Sequence, residues 1–555
     1  MYKSILFLIV CCFYQLTFQG LSAQQGEIEP PDTTSVRIAA ELLGLSFSQD
    51  EIVQMSRGVH RQKRSYQMIR DFELQNSIRP ALQFNPLPYG FNPPDDSGLN
   101  EWTIPDNINL PDNPSDIAYM SIPELASLIK NEKISSVALT KLYLNRLKTF
   151  DDSLYCVINL TEASAFEQAA KADAEIKQGI YRGILHGIPF GVKDLLSYAD
   201  YPTTWGAKPY EDQVLNETAS VITKLNDAGA VLLAKLSLGA LAMGDVWYGG
   251  TTRNPWNTKN GSSGSSAGPA AAVSAGLVPF AIGSETLGSI VSPSTRCSVT
   301  GLRPTFGRVS KYGAMALSWS MDKLGPICRS ANDCAIVLDF IRGADELDIS
   351  TISAGFSLPK LASLKGLKIA YLKDLFDDDY SFSSNDQQAL EIFREMGADL
   401  QAISLPDDLP VGALRIILNA EAAAAFDDLT RSDRDSLLVS QSNWSWPNSF
   451  RTSRFIPAVE YIQANRIRSV LIRQVHDLFK EFDVIITPSY GGIQLTLTNL
   501  SGHPALLLPT GFTEKGDPSS ITLLGNYFDE GVICAVGQLY QEKTKLHLRR
   551  PDNFK

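Results

Sequence analysis

Apolar and polar positions follow two rhythms along most of this chain. From Ser136 onward, Leu139, Leu142, Tyr143 and Leu147 recur at helical spacing, which gives a helix one apolar face. Just upstream, Ser121 and Glu124 have the spacing of a capping box, and Pro123 is tolerated in the first turn, so a helix is expected to start there. An alanine-rich helix is expected from about Thr161 to Lys177. Short apolar runs then take over, punctuated by glycine. Runs 188–192, 230–234 and 277–282 read as buried strands. Segments 219–227 and 270–275, closed by Gly229 and Gly276, read as the helices between them. A last strand is expected over 483–487, before Pro488. This alternation predicts an α/β sheet with parallel segments. In such sheets, sites gather where strands end and loops begin.

The N-terminus departs from that rhythm. Residues 1–23 hold a single charge, Lys3, an apolar stretch over 5–18 and the small residue Ala23 at the end. That is the pattern of a secretory signal cleaved after Ala23. The stretch is too short for a membrane span and Gln15 interrupts it. The chain is therefore expected to be exported, periplasmic or extracellular, with no stable membrane insertion after cleavage. Residues 24–120 read as an N-terminal extension. It is polar and helix-prone over 35–70, then proline-rich, as a linker or a strap over the body. The main domain is expected over 121–555.

Charge and rare residues narrow the chemistry. The 555 residues carry 49 Lys and Arg against 61 Asp and Glu, a net charge of −12. No basic run stands out, and phosphate contacts need clustered Lys and Arg, so nucleic acid is not an expected partner. Beyond residue 23 there are five cysteines, Cys156, Cys297, Cys328, Cys334 and Cys534, with no zinc spacing. They read best as small buried hydrophobes, with one disulfide left open. The five histidines are scattered and form no HExxH. No metal and no cofactor is expected.

The segment that stands out is GSSGSSAGPAAAVSAGLVPFAIGSETLGS over 261–289, with Lys193 upstream in GIPFGVKD. A serine hydroxyl is a poor nucleophile until a base takes its proton. A lysine is no base while charged, but at a strand end inside an apolar wall its charged form loses hydration and its pKa falls. Two serines in glycine-rich turns and one such lysine are the parts of a Ser-Ser-Lys nucleophile, a variant of triad logic suited to breaking an amide. Ser289 is the expected nucleophile, and Ser265 would relay its proton to Lys193. Backbone N–H groups of Thr286, Leu287, Gly288 and Ser289 are candidates for an oxyanion hole. The plain readings stand beside these: a snorkelling lysine, a turn-capping serine, and Ser262, Ser263 and Ser266 as loop and cap residues. Lys235, in VLLAKLS, lacks a glycine-rich context and reads as structural.

The motifs GVKD, GSSGSSAGPAAAV, GSETLGSI, GLRPTFGRVS and LGPICRS, with LSGHPALLLPTGF and GNYFDEGV near the C-terminus, resemble the amidase signature family. The resemblance spans most of 121–551 and makes 121–555 the amidase domain. It implies a central mixed β-sheet flanked by helices on both faces. It also implies a catalytic lysine, a serine in a cis peptide and a nucleophilic serine, matched here by Lys193, Ser265 and Ser289. The bridging serine stands twenty-four residues before the nucleophile in that family, and the same spacing leads from Ser289 back to Ser265. Two positions depart from the family pattern: Leu287 stands where a glycine is usual, and Val291 where an arginine often follows.

The expected activity is hydrolysis of a small-molecule carboxylic amide to acid and ammonia or amine. Met243 and the region 444–454 are candidates for the substrate pocket. Three rivals remain. One is the A-type subunit of the same family that releases ammonia from glutamine for charged tRNA. One is a catalytically idle secreted binding protein. The third is an α/β-hydrolase, because Ser266 formally fits GxSxG; that fold needs a strand before the serine, and the polar run 253–260 with Pro255 is not expected to supply one.

Overall fold

The capping box forms as the residues demand. Glu124 accepts from the Ser121 N–H at 2.8 Å and starts the helix Ile122–Lys130. The next helix, Ser136–Leu154, is capped by Ser135 and buries Leu139, Tyr143 and Leu147. The alanine-rich helix is Glu162–Lys177. These elements belong to a computed structural model that describes residues 32–555 except 72, 73, 79, 97 and 379. The signal over residues 1–23 lies outside the described residues.

The chain divides into two compact units between Gln75 and Asn76. The first contains the helices Thr33–Leu42 and Gln49–Arg70. Asp32 caps the former, and Ser48 with Glu51 forms a capping box on the latter. The second unit begins at Asn76 and takes in the proline-rich segment. Asn76 bonds the backbone of Ala316 on both sides, and Asn100 and Trp102 both donate to buried Asp339. These anchors make that segment a strap along the second unit.

The second unit is built on one eleven-stranded sheet. In chain order the strands are β1 Val157–Leu160, β2 Pro189–Lys193, β3 Val231–Leu236, β4 Phe280–Glu285, β5 Thr300–Arg303, β6 Lys323–Cys328, β7 Ile369–Leu372, β8 Leu400–Ile403, β9 Val484–Pro488, β10 Ala505–Phe512 and β11 Pro518–Leu524. Their order across the sheet is β1-β3-β2-β4-β6-β5-β10-β11-β9-β7-β8. The sheet is mixed: β3-β2-β4 and β9-β7-β8 run parallel, and the other neighbours are antiparallel. Helices flank it; Ala267–Ser274 packs on β4 and Glu530–Thr544 on β10. Strands β2, β3, β4 and β6 are buried along their whole length; with both faces covered, β2, β3 and the start of β4 read as apolar runs rather than alternating ones.

Two expected boundaries move. The strand expected over 277–282 is β4, Phe280–Glu285, because Leu277 instead bonds back to Ala272 and closes the preceding helix. Its last residues are polar but have fixed partners in the site. The polar run 253–260, expected to hold no strand, contributes to two: Arg253–Asn254 pairs with Asn257–Gly261 in a small hairpin outside the main sheet. The five described cysteines are buried and free. Among the described residues no helix is long and apolar enough to cross a membrane.

Candidate active site

Lys193 is the last residue of β2 and is fully buried. Its Nζ donates to Ser265 Oγ at 2.7 Å and to Ser284 Oγ at 2.8 Å, with Ser266 Oγ at 3.3 Å. Among the described residues no carboxylate lies within ion-pair distance of it. Burial lowers its pKa to about 7, although the nearby charges of Asp322 and Glu285 pull upward. Those carboxylates are engaged elsewhere. Asp322 accepts from Thr286 Oγ1 at 2.6 Å and from the N–H groups of Leu317 and Ser318. Near neutral pH a substantial fraction of Lys193 is therefore the free amine.

Ser265 follows a cis peptide bond from Gly264. A Cβ on Gly264 would run into the Gly244 carbonyl, so the loop closes only around a residue without a side chain. Ser266 does more than cap the helix Ala267–Ser274. Its Oγ bonds both the carbonyl and the N–H of Ser284, at 3.0 and 3.1 Å, and its N–H donates to Ser289 O at 3.1 Å. These bonds fasten the serine loop to the end of β4. Ser262 and Ser263 are loop residues, and Ser263 Oγ shares a hydrogen bond with Ser292 Oγ at 2.7 Å. Ser266 has no histidine among its partners, so the Ser-Asp-His reading finds no support in its surroundings.

The turn after β4 is braced from both ends by Glu285. Its Oε2 accepts from the N–H groups of Ile290 and Val291 at 2.8 and 3.0 Å, which caps the start of the helix Val291–Cys297. Its Oε1 accepts from Arg303 at 2.8 Å and from Asn499 at 2.8 Å. Burial acts to raise the pKa of this carboxyl, but the Arg303 charge and the N–H donors outweigh it and hold it at about 2. Glu285 is a fixed anion, and the four residues between its two ends have little freedom. Gly288 takes φ +84°, where a side chain would strain the backbone. Leu287 is not among the left-handed residues, so its Cβ is accommodated. Among the described residues the N–H groups of Thr286, Leu287, Gly288 and Ser289 donate to no protein acceptor, and neither does the Ser289 hydroxyl.

Half-buried Ser289 lines a cavity of about 480 Å³. Met243, Leu287, Leu418, Trp444 and Trp446 line the same space, with Asn419, Asn443 and Asn448. Met243 and the 444–454 region thus come together around Ser289. A second cavity of about 390 Å³ lies against Ser284, Thr286 and Asp322. The sequence reading missed Ser284, Asp322 and the clamp on Glu285. For Ser284 and Glu285 a signal existed: two polar residues ending an otherwise apolar strand.

The protein-family model for amidases matches residues 138–534. The A-type subunit of glutamyl-tRNA(Gln) amidotransferase from Methylococcus capsulatus is 33% identical over 478 residues, covering 78% of this chain and 98% of that one. Among solved structures, the peptide amidase of Stenotrophomonas maltophilia is 27% identical with a TM-score of 0.70, over 80% of this chain and 100% of that one. A bacterial aryl acylamidase of the amidase signature enzymes shares the fold, with a TM-score of 0.69 at 21% identity over 78% of this chain and 99% of that one.

Proposed function

The chain belongs to the amidase signature family, and from that premise we propose that it hydrolyses a carboxylic amide through an acyl-enzyme on Ser289. The observation that carries this reading is the Lys193 amine, fully buried and held by the Ser265 and Ser284 hydroxyls and the Ser284 carbonyl, with no carboxylate at ion-pair distance among the described residues.

In this reading Ser265 Oγ–H gives its proton to neutral Lys193 as it takes the proton of Ser289 Oγ. The Ser289 oxygen attacks the amide carbon, and negative charge develops on the carbonyl oxygen. The free N–H groups of Thr286, Leu287, Gly288 and Ser289 are the donors for that oxyanion. Collapse of the intermediate breaks the C–N bond, and the amine or ammonia leaves with the proton returned through Ser265. Water then attacks the Ser289 ester by the same route and yields the acid. Ser284 positions Lys193: its hydroxyl fixes the amine beside Ser265 from the opposite side.

The relatives that are amidotransferase subunits of the A type favour a second reading, in which the ammonia is passed on rather than released. The chain alone, incubated with aliphatic, aromatic and amino-acid amides, separates the two. Ammonia or amine release without ATP supports the hydrolase. Silence on every amide, with activity only after a partner subunit, charged tRNA and ATP are added, would overturn it. Export, read from residues 1–23, supports the hydrolase because it separates the chain from charged tRNA. N-terminal sequencing of native protein tests this: a start at Gln24 is expected, and Met1 in a cytosolic fraction refutes export.

A further inference from the structure

The cavity around Ser289 has an uneven charge. Among the described residues that line it, only Arg415 carries an ionisable side chain. The other polar side chains of the lining are neutral, Asn419, Asn443 and Asn448 among them. Arg415 is exposed, and among the described residues its guanidinium meets no carboxylate and makes no hydrogen bond. The two arginines of the 444–454 segment, which supplies part of the cavity lining, are neutralised. Arg451 pairs with Asp435 at 2.9 Å, and Arg454 pairs with Asp427. Arg415 is thus an unpaired cation at the cavity wall, in a chain with an excess of acidic residues.

Resting on the amide-hydrolase reading above, we infer that Arg415 selects amides that carry a carboxylate. A guanidinium presents a planar fork of donors that matches a carboxylate in a two-point contact. One cation among neutral amide side chains balances one negative charge. An ammonium group in the same cavity would meet Arg415 with no acid to offset the repulsion, so cationic amides are rejected. The remaining lining fixes the other half of the substrate. Leu287, Leu317, Leu418, Met243 and the indoles of Trp444 and Trp446 form an apolar wall, and Trp444 is 88% exposed with its ring available to a ligand. The substrate class is an amide with an apolar body and a terminal carboxylate, of the kind formed by a monoamide of an aliphatic diacid.

The experiment uses the full-length protein and a series of diacid monoamides paired with methyl ketones of equal length, which replace the carboxylate by a neutral group of similar size. Ammonia release gives kcat/KM for each member of a pair. A preference for the acid of about tenfold or more is expected from one charge-assisted contact. In Arg415→Gln the ratio of acid to ketone should fall toward one, and in Arg415→Glu it should invert, with amino-terminated amides gaining. A ratio near one in the unaltered enzyme, or one unchanged in Arg415→Gln, overturns the inference. Binding of the same pairs to Ser289→Ala, measured by calorimetry, reads the selection without turnover. Tighter binding of the acid that is lost in the Ser289→Ala, Arg415→Gln double variant supports the Arg415 role even where the hydrolase reading fails, and equal affinity for both members of each pair refutes it.

Discussion

Two lysines, one strand apart, show how the same residue type is put to different ends. Lys193 ends β2 and Lys235 lies in β3, and both are fully buried. The strands are parallel neighbours, with Val192 opposite Lys235 and Lys193 opposite Leu236. Register partners share a face of a sheet and successive residues alternate, so the two amines point to opposite faces. Lys235 meets Asp194, which projects to its own side, in an ion pair of 2.9 Å. Asp194 is satisfied further by the N–H and hydroxyl of Thr204. Lys193 meets hydroxyls and the Ser284 carbonyl, all of them neutral. Burial lowers the pKa of both lysines, but at Lys235 the Asp194 charge opposes it directly. An amine paired with a buried carboxylate supports the fold; an amine given only neutral partners is free to lose its proton.

That contrast can be broken at each end. The largest effect is expected at the group both loops converge on: Ser289→Ala should lower turnover by about 10³-fold or more and abolish labelling by a fluorophosphonate. Intact-mass spectrometry reads the label. Lys235→Met comes next and acts on stability. Losing the amine leaves Asp194 buried without its counter-charge, which costs about 3–5 kcal/mol; denaturant unfolding measures it. The double change Lys235→Met, Asp194→Leu should recover much of that loss.

Lys193→Ala should cost on the order of 10² or more in rate, with a smaller change in the unfolding midpoint than Lys235→Met. Equal destabilisation by the two variants, with turnover kept in Lys193→Ala, would erase the distinction. The pH profile sharpens it. Because the active form of Lys193 is the neutral amine and its pKa is lowered to about 7, kcat/KM should rise as pH increases through about 7 and level off above it. Ser284→Ala is expected to have the smallest effect. It removes one hydrogen-bond contact from the amine, worth about 1 kcal/mol, and should move the midpoint of that profile more than the limiting rate.

What could be read from the sequence follows from how local each feature is. The helix start at Ser121 depends on residues within one turn, and it forms as expected. Strands β2, β3 and β4 announce themselves because both faces are covered and apolar residues follow one another without alternation; their charged and hydroxyl residues come at or near the C-terminal ends. Lys193, Ser265 and Ser289 could be picked out because each sits in a distinctive glycine-rich setting, although the choice of Ser265 among four crowded serines leaned on the resemblance. The Lys193 environment was only half legible: the apolar wall is in β2 itself, but Ser284 reaches the amine from another strand. Nothing near Glu285 in sequence points to Arg303 and Asn499, which arrive from β5 and from the helix Gln494–Ser501. The hairpin at 253–261 was missed because its residues are polar, and it is held by a turn rather than by apolar burial.

The clamp on Glu285 also bears on how such a chain can change over generations. The turn from Thr286 to Ser289 takes its shape from its two ends, where one carboxylate grips the following helix and is gripped by Arg303. Its middle is thereby released from the duty of specifying the shape. Gly288 must stay, because only it occupies the left-handed conformation. Leu287, by contrast, faces the cavity and can vary in size without moving Ser289. A lineage could exchange that side chain and try new acyl groups while the reactive oxygen stayed where it was. The rigid frame makes the pocket wall a place where novelty is cheap.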